Sequence, residues 1–417
     1  MRWKKMVSAL LIGAMVCTMG ACGSSGSKDS TQGGSKTSSK GDNKLVVWTL
    51  TNDLVDYGKR FQEQTGVKVD TVVIEPADYP TKVQTALLAG ETEPDIIVGE
   101  PQMLDDFYDA GFFANLDDFG AQDYKDKIVD YVWEVGQDSD GIQRAISYQI
   151  TPAGFYYRRD IAKEVFGTDD PDEVGKLFSS YSTILDTAKK LKDKGYRIFS
   201  SDAELSYFSG DSAWVVDGKL NVDQARYDYM DLCVDLYKND YTAYATQDAQ
   251  KTSVFAFGLP SWGVLTMRDH VGDTSGKWGV CAGPTYGFGG GTYIGIASNS
   301  KRQDTAWDFV KFCTLNEDTS DWWIDYSQGD TVSYLPALEK HKDDENEIYG
   351  GEKLYQFWLE QAKGIDYSKV TRYDKQIGDA WSQAISAIKT GEKSKEDAVN
   401  AFYDTVQSTF PEIEIDR

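Results

Sequence analysis

Between Lys44 and Val98 the apolar positions alternate between strand-like runs and helical spacing. Leu45-Val46-Val47-Trp48 is a continuous run of strand length, and Leu54, Tyr57 and Phe61 then keep the spacing of one helix face. Gly66 follows Gln64-Thr65 as a helix stop. Val67 to Ile74 predicts a second strand. Tyr79, Val83, Ala86 and Leu87 predict a second helix ending near Gly90, and Pro94-Asp95-Ile96-Ile97-Val98 predicts a third strand. This β-α-β-α-β order predicts an α/β fold with a parallel sheet covered by helices on both faces. Ligands of such sheets sit beyond the carboxyl ends of the strands. Those ends are Thr49-Leu50-Thr51-Asn52-Asp53 and Gly99-Glu100-Pro101.

Helical spacing returns from Ser182 to Lys192, from Val222 to Lys238, at Ala306, Phe309, Val310 and Cys313, and at Ile377, Trp381, Ile385 and Ile388 before Gly391. Trp48, Trp307 and Trp381 fall on apolar faces and read as core. Trp322 and Trp323 are adjacent, so they cannot share one helix face, and either could reach a cleft. Gly279 to Gly295 is rich in glycine, with Tyr286, Phe288 and Tyr293 interspersed. It lacks the spacing of a dinucleotide or P-loop cradle.

The N-terminus follows a different pattern. Arg2, Lys4 and Lys5 precede an uncharged, mostly apolar run from Met6 to Ala21, which ends in Met19-Gly20-Ala21-Cys22. A basic start, a short apolar core and small residues before a break read as an export signal over 1–21. The run falls short of the ~20 apolar residues that a bilayer span needs. The tetrapeptide resembles a bacterial lipobox, in which Cys22 is acylated (palmitate among the expected chains) and becomes the mature N-terminus. Gly23 to Asn43 is a Gly/Ser/Lys/Thr tract, a tether with a reach of ~25 Å as a coil. The protein is therefore expected outside the cytoplasm, held to the cell membrane by lipid.

Composition narrows the function classes. The 417 residues suit two domains. Net charge is −24, and removal of the basic signal makes it −27, which argues against nucleic acid and against docking on an anionic membrane by charge. Cys17 leaves with the signal and Cys22 is the lipid site. Cys233, Cys281 and Cys313 remain, scattered and odd in number, so each reads as a small core residue and not as part of a disulfide scaffold. Two histidines, His270 and His341, leave little material for a zinc site or a Ser-His-Asp triad. No cofactor or metal is expected.

Several segments in order resemble one family. Phe61-Gln62-Glu63-Gln64-Thr65-Gly66-Val67-Lys68-Val69 matches F-x-x-x-T-G-V-x-V. Gly90 to Ile97 is close to G-x-x-P-D-I with one extra residue, and Gly111 to Asp117 matches G-x-x-x-x-L-D. Tyr148 through Gly154 and Tyr157 to Asp160 follow a lobe-crossing pattern, with Arg159 where Asn is usual. Ala306 to Phe312 matches A-W-x-F-V-K-F, and Gly391 to Ala398 matches G-x-x-S-x-E-x-A. Together these resemble the extracellular solute-binding proteins of ABC importers, in the class that includes oligosaccharide binders of the maltose-binding type, over nearly all of 44–417. One departure is Gly258-Leu259-Pro260-Ser261-Trp262, where many members carry G-x-A-A-M.

The resemblance implies a two-lobed fold of the periplasmic-binding-protein type, with a parallel-rich sheet in each lobe and a ligand cleft between them. It implies an N-terminal lobe of 44–150 plus 294–335 and a C-terminal lobe of 151–293 plus 336–417. Crossings are expected near Gln149-Ile150-Thr151, near Thr292-Tyr293-Ile294 and after Ser333, and the lobes would close by a hinge. It also implies a monomer that presents sugar to a membrane permease.

Sugars need aromatic plates for their C–H faces and carboxylates or amides for their hydroxyls. Glu100 stands at a strand's carboxyl edge, and Asn52 and Asp53 stand at the analogous edge of the first strand, where Asx residues also cap helices. Asp202, after Ile198-Phe199-Ser200-Ser201, resembles the second lobe's polar contact. Trp262 falls at the family's cleft aromatic, although the Val264-Leu265 run that follows also suits a core tryptophan. Tyr286 and Tyr293 flank the glycine-rich stretch, where small residues would let backbone approach a ligand, and Tyr148 sits at the first crossing. The leading function is capture of a sugar or oligosaccharide without catalysis. A cationic amine or peptide would also suit Glu100, Asp202 and Asp53. An exported glycoside hydrolase would need two carboxyls at a set spacing, and a surface adhesin would not need closing lobes.

Overall fold

The structure is a computed structural model that describes residues 43–210, 212–243, 253–271 and 274–416. The signal, Cys17, Cys22 and most of the tether lie outside the described residues.

The first sheet forms as the apolar pattern dictates. Strands β1 (Lys44–Thr49), β2 (Lys68–Val73) and β3 (Ile96–Gly99) pair in parallel, with Lys44 opposite Lys68 and Val47 opposite Ile96. Strand β4 (Ala145–Ser147) and a strand from far along the chain, Tyr293–Ile296, complete the order β2-β1-β3-(Tyr293–Ile296)-β4, and this late strand runs antiparallel to both neighbours. Helix α1 (Asp53–Thr65) buries Leu54, Tyr57, Gly58 and Phe61 and stops at Gly66, whose φ of +74° needs no Cβ penalty. Helix α2 (Tyr79–Leu88) buries the four expected positions, Tyr79, Val83, Ala86 and Leu87. Trp48 is only half-buried, under the Lys82 ammonium at 5.5 Å, whereas Trp307 and Trp381 are core.

Asp95 pins this sheet from inside. It is fully buried, and its carboxylate accepts from the Val46 amide (2.9 Å), the Ser300 hydroxyl (2.6 Å) and both Nε and Nη2 of Arg302. A buried charge persists only when it is paired and hydrogen-bonded in this way.

The second sheet corrects an expectation. It consists of β5 (Ala153–Arg158) flanked by two strands, and the order is (Ala256–Pro260)-β5-(Trp278–Cys281). Both pairings are antiparallel, so this half is not parallel-rich; parallel contact among its described residues is limited to the isolated bridges Arg197–Val254, Phe199–Thr242 and Lys219–Glu414. The parallel rule belongs to single-helix crossovers. Here the chain wanders through several helices and the short hairpin β6 (Val215–Val216) and β7 (Lys219–Leu220) before it returns as β8 (Ala256–Pro260). Strand β9 is Trp278–Cys281 and β10 is the late strand Tyr293–Ile296. Successive β5 side chains serve two cores. Phe155 stacks among Phe178, Phe199 and Phe208 on one face, and Tyr156 meets Tyr349 and Trp358 on the other.

Three segments pass between the sheets side by side. From β4 to β5 the chain runs through Tyr148–Pro152, and from β9 to β10 it runs through the glycine-rich stretch. Asp330–Ser333 lies against the first segment, a few residues before the expected third crossing. Thr331 Oγ1 donates to Ile150 O (2.7 Å), Ser333 N to Tyr148 O (2.9 Å), and Thr292 Oγ1 to Gln149 Oε1 (3.1 Å). Tyr293, expected in the second lobe, is part of the first sheet, opposite Gly99 and Ser147. Cys233, Cys281 and Cys313 are buried free thiols. Among the described residues no helix is long and apolar enough to cross a membrane.

Candidate functional site

The carboxyl ends of β1 and β3 open toward the second sheet. Glu100 leaves β3 in an extended conformation (φ −102°, ψ 154°), as a residue before proline must, and heads helix α3 (Pro101–Asp109). Its half-buried carboxylate accepts from Gln102 Nε2. Burial raises its pKa, and the Gln102 bond opposes that shift. Across the gap stands Tyr207, whose hydroxyl pKa is raised by burial and then by the charges of Glu204 and Glu100. Tyr207 carries no periodic or motif signal; it is found only from the fold.

Trp262 stands beside them, half-buried, with Nε1 donating to Gly289 O at 3.0 Å. The unusual Pro260-Ser261 pair before it has a physical basis. Pro260 ends an edge strand, where no ladder bond is lost. Ser261 Oγ donates to Ile150 O (2.8 Å) and lies 3.1 Å from Thr331 Oγ1, which ties the tryptophan's turn to two crossing segments.

The glycines of the second crossing make room for a neighbouring side chain. A Cβ on Gly289 would lie 2.2 Å from Tyr207 Cε1, and one on Gly287 would lie 1.9 Å from Tyr207 O. They admit Tyr207, and Gly287 and Gly290 also line cavities. Tyr286 is 60% exposed, and its ring packs over Gly364.

Five other candidates lie elsewhere. Tyr148 is buried against Tyr57 and Trp323 (4.9 and 5.4 Å), so it offers no plate to a ligand. Its hydroxyl donates to Asp53 Oδ2 at 2.7 Å and so holds a carboxylate at the first strand's edge. Tyr293 is likewise buried, with Gly291 against its ring. Asp202 forms an ion pair with Lys389 (2.7 Å), both largely buried in the second half, so its charge is already met. Asn52 is exposed at the start of α1 and its side chain caps nothing. Asp53 is half-buried; burial raises its pKa, the Tyr148 bond lowers it and Asp56 raises it. Of the adjacent tryptophans, Trp323 is core and Trp322 is half-buried, stacked on Tyr326 with the Arg60 guanidinium 5.1 Å from its ring.

Sequence reasoning also missed Asp330. It is fully buried where the crossings meet, accepts from Thr331 N (2.8 Å), Trp323 Nε1 (3.1 Å) and Gln149 Nε2 (3.2 Å), and has Ser261 Oγ 3.3 Å away. Burial raises its pKa to about 7.

A cavity of about 260 Å³ takes walls from both halves: Pro101, Gln102, Asp105 and Asp106 from α3, and Phe288, Tyr367, Arg372 and Asp374 from the second. No cluster among the described residues could hold a metal ion. A cavity with aromatic and charged residues in its walls, framed by two sheets and three crossings, fits a two-lobed binding protein of the periplasmic type.

The family described as bacterial extracellular solute-binding protein matches residues 56–348, and the chain belongs to it. Solved structures share the fold. The ABC-transporter-associated binding protein from B. animalis subsp. lactis Bl-04, in complex with β-1,6-galactobiose, is 17% identical with a TM-score of 0.71, covering 90% of this chain and 100% of its own. The galacto-N-biose/lacto-N-biose I-binding protein of Bifidobacterium longum, in complex with lacto-N-biose, is 16% identical with a TM-score of 0.70, covering 89% and 98%. The sugar-binding protein MalE of Xanthomonas citri is 15% identical with a TM-score of 0.70, covering 88% and 96%.

Proposed function

We propose that this protein is the lipid-anchored receptor of an ABC sugar importer, binding a neutral saccharide between its lobes without breaking a bond and handing it to a membrane permease. The observation that carries this is the cavity walled by both halves, in which Pro101 follows Glu100 and Gly290 lies against the Trp262 indole. The lobes comprise 44–150 with 293–335, and 151–292 with 336–417, and Cys22 carries the lipid. Only the closed form touches ligand from both sides, so ligand shifts an open–closed equilibrium. Support for a sugar comes from the family, from saccharides bound by proteins of the same fold, and from the amide of Gln102 and the carboxylates of Asp105 and Asp374 on the cavity wall, which suit hydroxyl groups.

Calorimetry against a broad panel of neutral mono- and oligosaccharides tests the reading. At least one binds, and Trp262→Ala loses roughly 2 kcal/mol or more of that binding, as truncation of a central aromatic anchor does. Absence of binding across the panel by folded protein overturns it. The same acid-lined cavity supports a second reading, a cationic amine. Such binding would weaken steeply between low and high salt, and sugar binding would barely change.

A further inference from the structure

Next to the interlobe cavity lies a second one, of about 240 Å³, inside the C-terminal half. The two share Phe288, Val370 and Asp374, so they adjoin along one wall. Neither alone reaches the roughly 300–1,000 Å³ usual for a ligand site, but joined they do. We infer that the cleft continues into this second cavity as a subsite for a further uncharged sugar unit, and that the preferred ligand is an oligosaccharide long enough to fill both. This rests on the saccharide reading above.

Arg226 lines the second cavity and is 3% exposed. Its guanidinium lies 3.8 Å from the Trp214 ring centroid. Nη1 donates to Ser212 Oγ, Asn221 O and Asp223 Oδ2, and Nη2 to Ser212 O at 2.6 Å. Its Nε–H is buried with no acceptor. A buried donor left unpaired costs free energy that a partner's oxygen recovers. Gly210 keeps this edge open, since a Cβ there would lie 3.2–3.3 Å from Nε, Cζ and Nη2, and no positive φ calls for glycine. Tyr286, the most exposed aromatic at this wall, supplies a flat apolar face at the mouth. Charge decides the ligand class. Asp223 pairs the guanidinium at 3.1 Å, and Asp366 pairs Lys369 on the same wall at 3.8 Å, so no net positive charge is left to select a phosphate or a uronate. A hydroxyl-bearing neutral unit fits.

The test is calorimetry of the protein with homologous neutral series of one to four units, including β-1,6-galacto-oligosaccharides, malto-oligosaccharides, β-1,4-gluco-oligosaccharides and β-1,4-xylo-oligosaccharides. Within the series that binds, affinity rises about tenfold or more on adding the unit that reaches the second cavity. In Gly210→Val that gain disappears and long members bind no better than short ones. Tyr286→Ala, on the far side of the same cavity, gives the same flattening and serves if Gly210→Val fails to fold. A wild-type series with flat affinity, or variants that keep the full gain, overturns the inference and leaves the saccharide reading standing. Failure of all series to bind overturns that reading and the inference with it.

Discussion

Asp330 offers the sharpest test of how the halves are joined. Its side chain has no solvent exposure, and its two oxygens accept from Thr331 N, Trp323 Nε1 and Gln149 Nε2, with Ser261 Oγ 3.3 Å away. Burial raises its pKa from 3.8 to about 7; the Thr331 amide, Trp323 and Ser261 oppose this, and the Asp53 charge adds to it. The other titratable groups that face it, Tyr57, Tyr148, Tyr156 and Tyr355, are neutral phenols in the physiological range. A carboxyl that holds its proton more tightly folded than unfolded adds stability that is fully present below pH ~4 and lost as pH rises through ~7. Three pKa units correspond to ~4 kcal/mol at most.

Asp330→Asn removes this titration. It also turns an N–H toward existing donors in either amide orientation, at a cost of about 1–3 kcal/mol. Urea unfolding of both proteins from pH 4 to 8 therefore gives a stability difference that is largest near pH 4–5 and shrinks, or reverses, toward pH 8. Glu204 and Glu352, whose pKa values burial also raises to about 7, cancel in the difference. A difference independent of pH would refute the assignment of a protonated carboxyl to this junction.

Other outcomes follow from the same contacts. Asp95→Ala removes the buried acceptor shared by the Val46 amide, the Ser300 hydroxyl and Arg302 Nε, while Arg302 Nη2 keeps Glu93, and costs about 3–5 kcal/mol in denaturant unfolding. Tyr148→Phe removes the 2.7 Å bond to Asp53 and costs about 1.5–3 kcal/mol at pH 7; it also moves the Asp53 titration, followed by carboxyl NMR, to higher pH, which a simple packing defect would not do. Cys233, Cys281 and Cys313 are buried and unpaired, so a thiol reductant leaves the melting temperature unchanged and native-state thiol labelling is slow.

The first half of the fold was legible because its periods are clean. Leu54, Tyr57 and Phe61 could face only one way, and Gly66 marked the stop. Glu100 could be placed because a buried strand ends one residue before it. The antiparallel second sheet could not be read, since β5 and β8 are separated by about a hundred residues and strand pairing leaves no local trace. A still longer separation hid Lys389 from Asp202, 187 positions away. Tyr148 and Tyr293 misled because an aromatic at a crossing has the same local sequence whether it faces the core or the cleft. Asp330 and Arg226 were invisible, because burial is what makes them unusual and a lone charged residue in a loop or helix does not announce it.

The most direct measurement is a crystal structure of the protein with the saccharide that binds it best. Sugar is expected between the halves, with one ring against Trp262 and hydroxyls within hydrogen-bond distance of Glu100. Sugar bound elsewhere on the surface, or a gap in which Trp262 and Glu100 both turn away from it, would contradict the account.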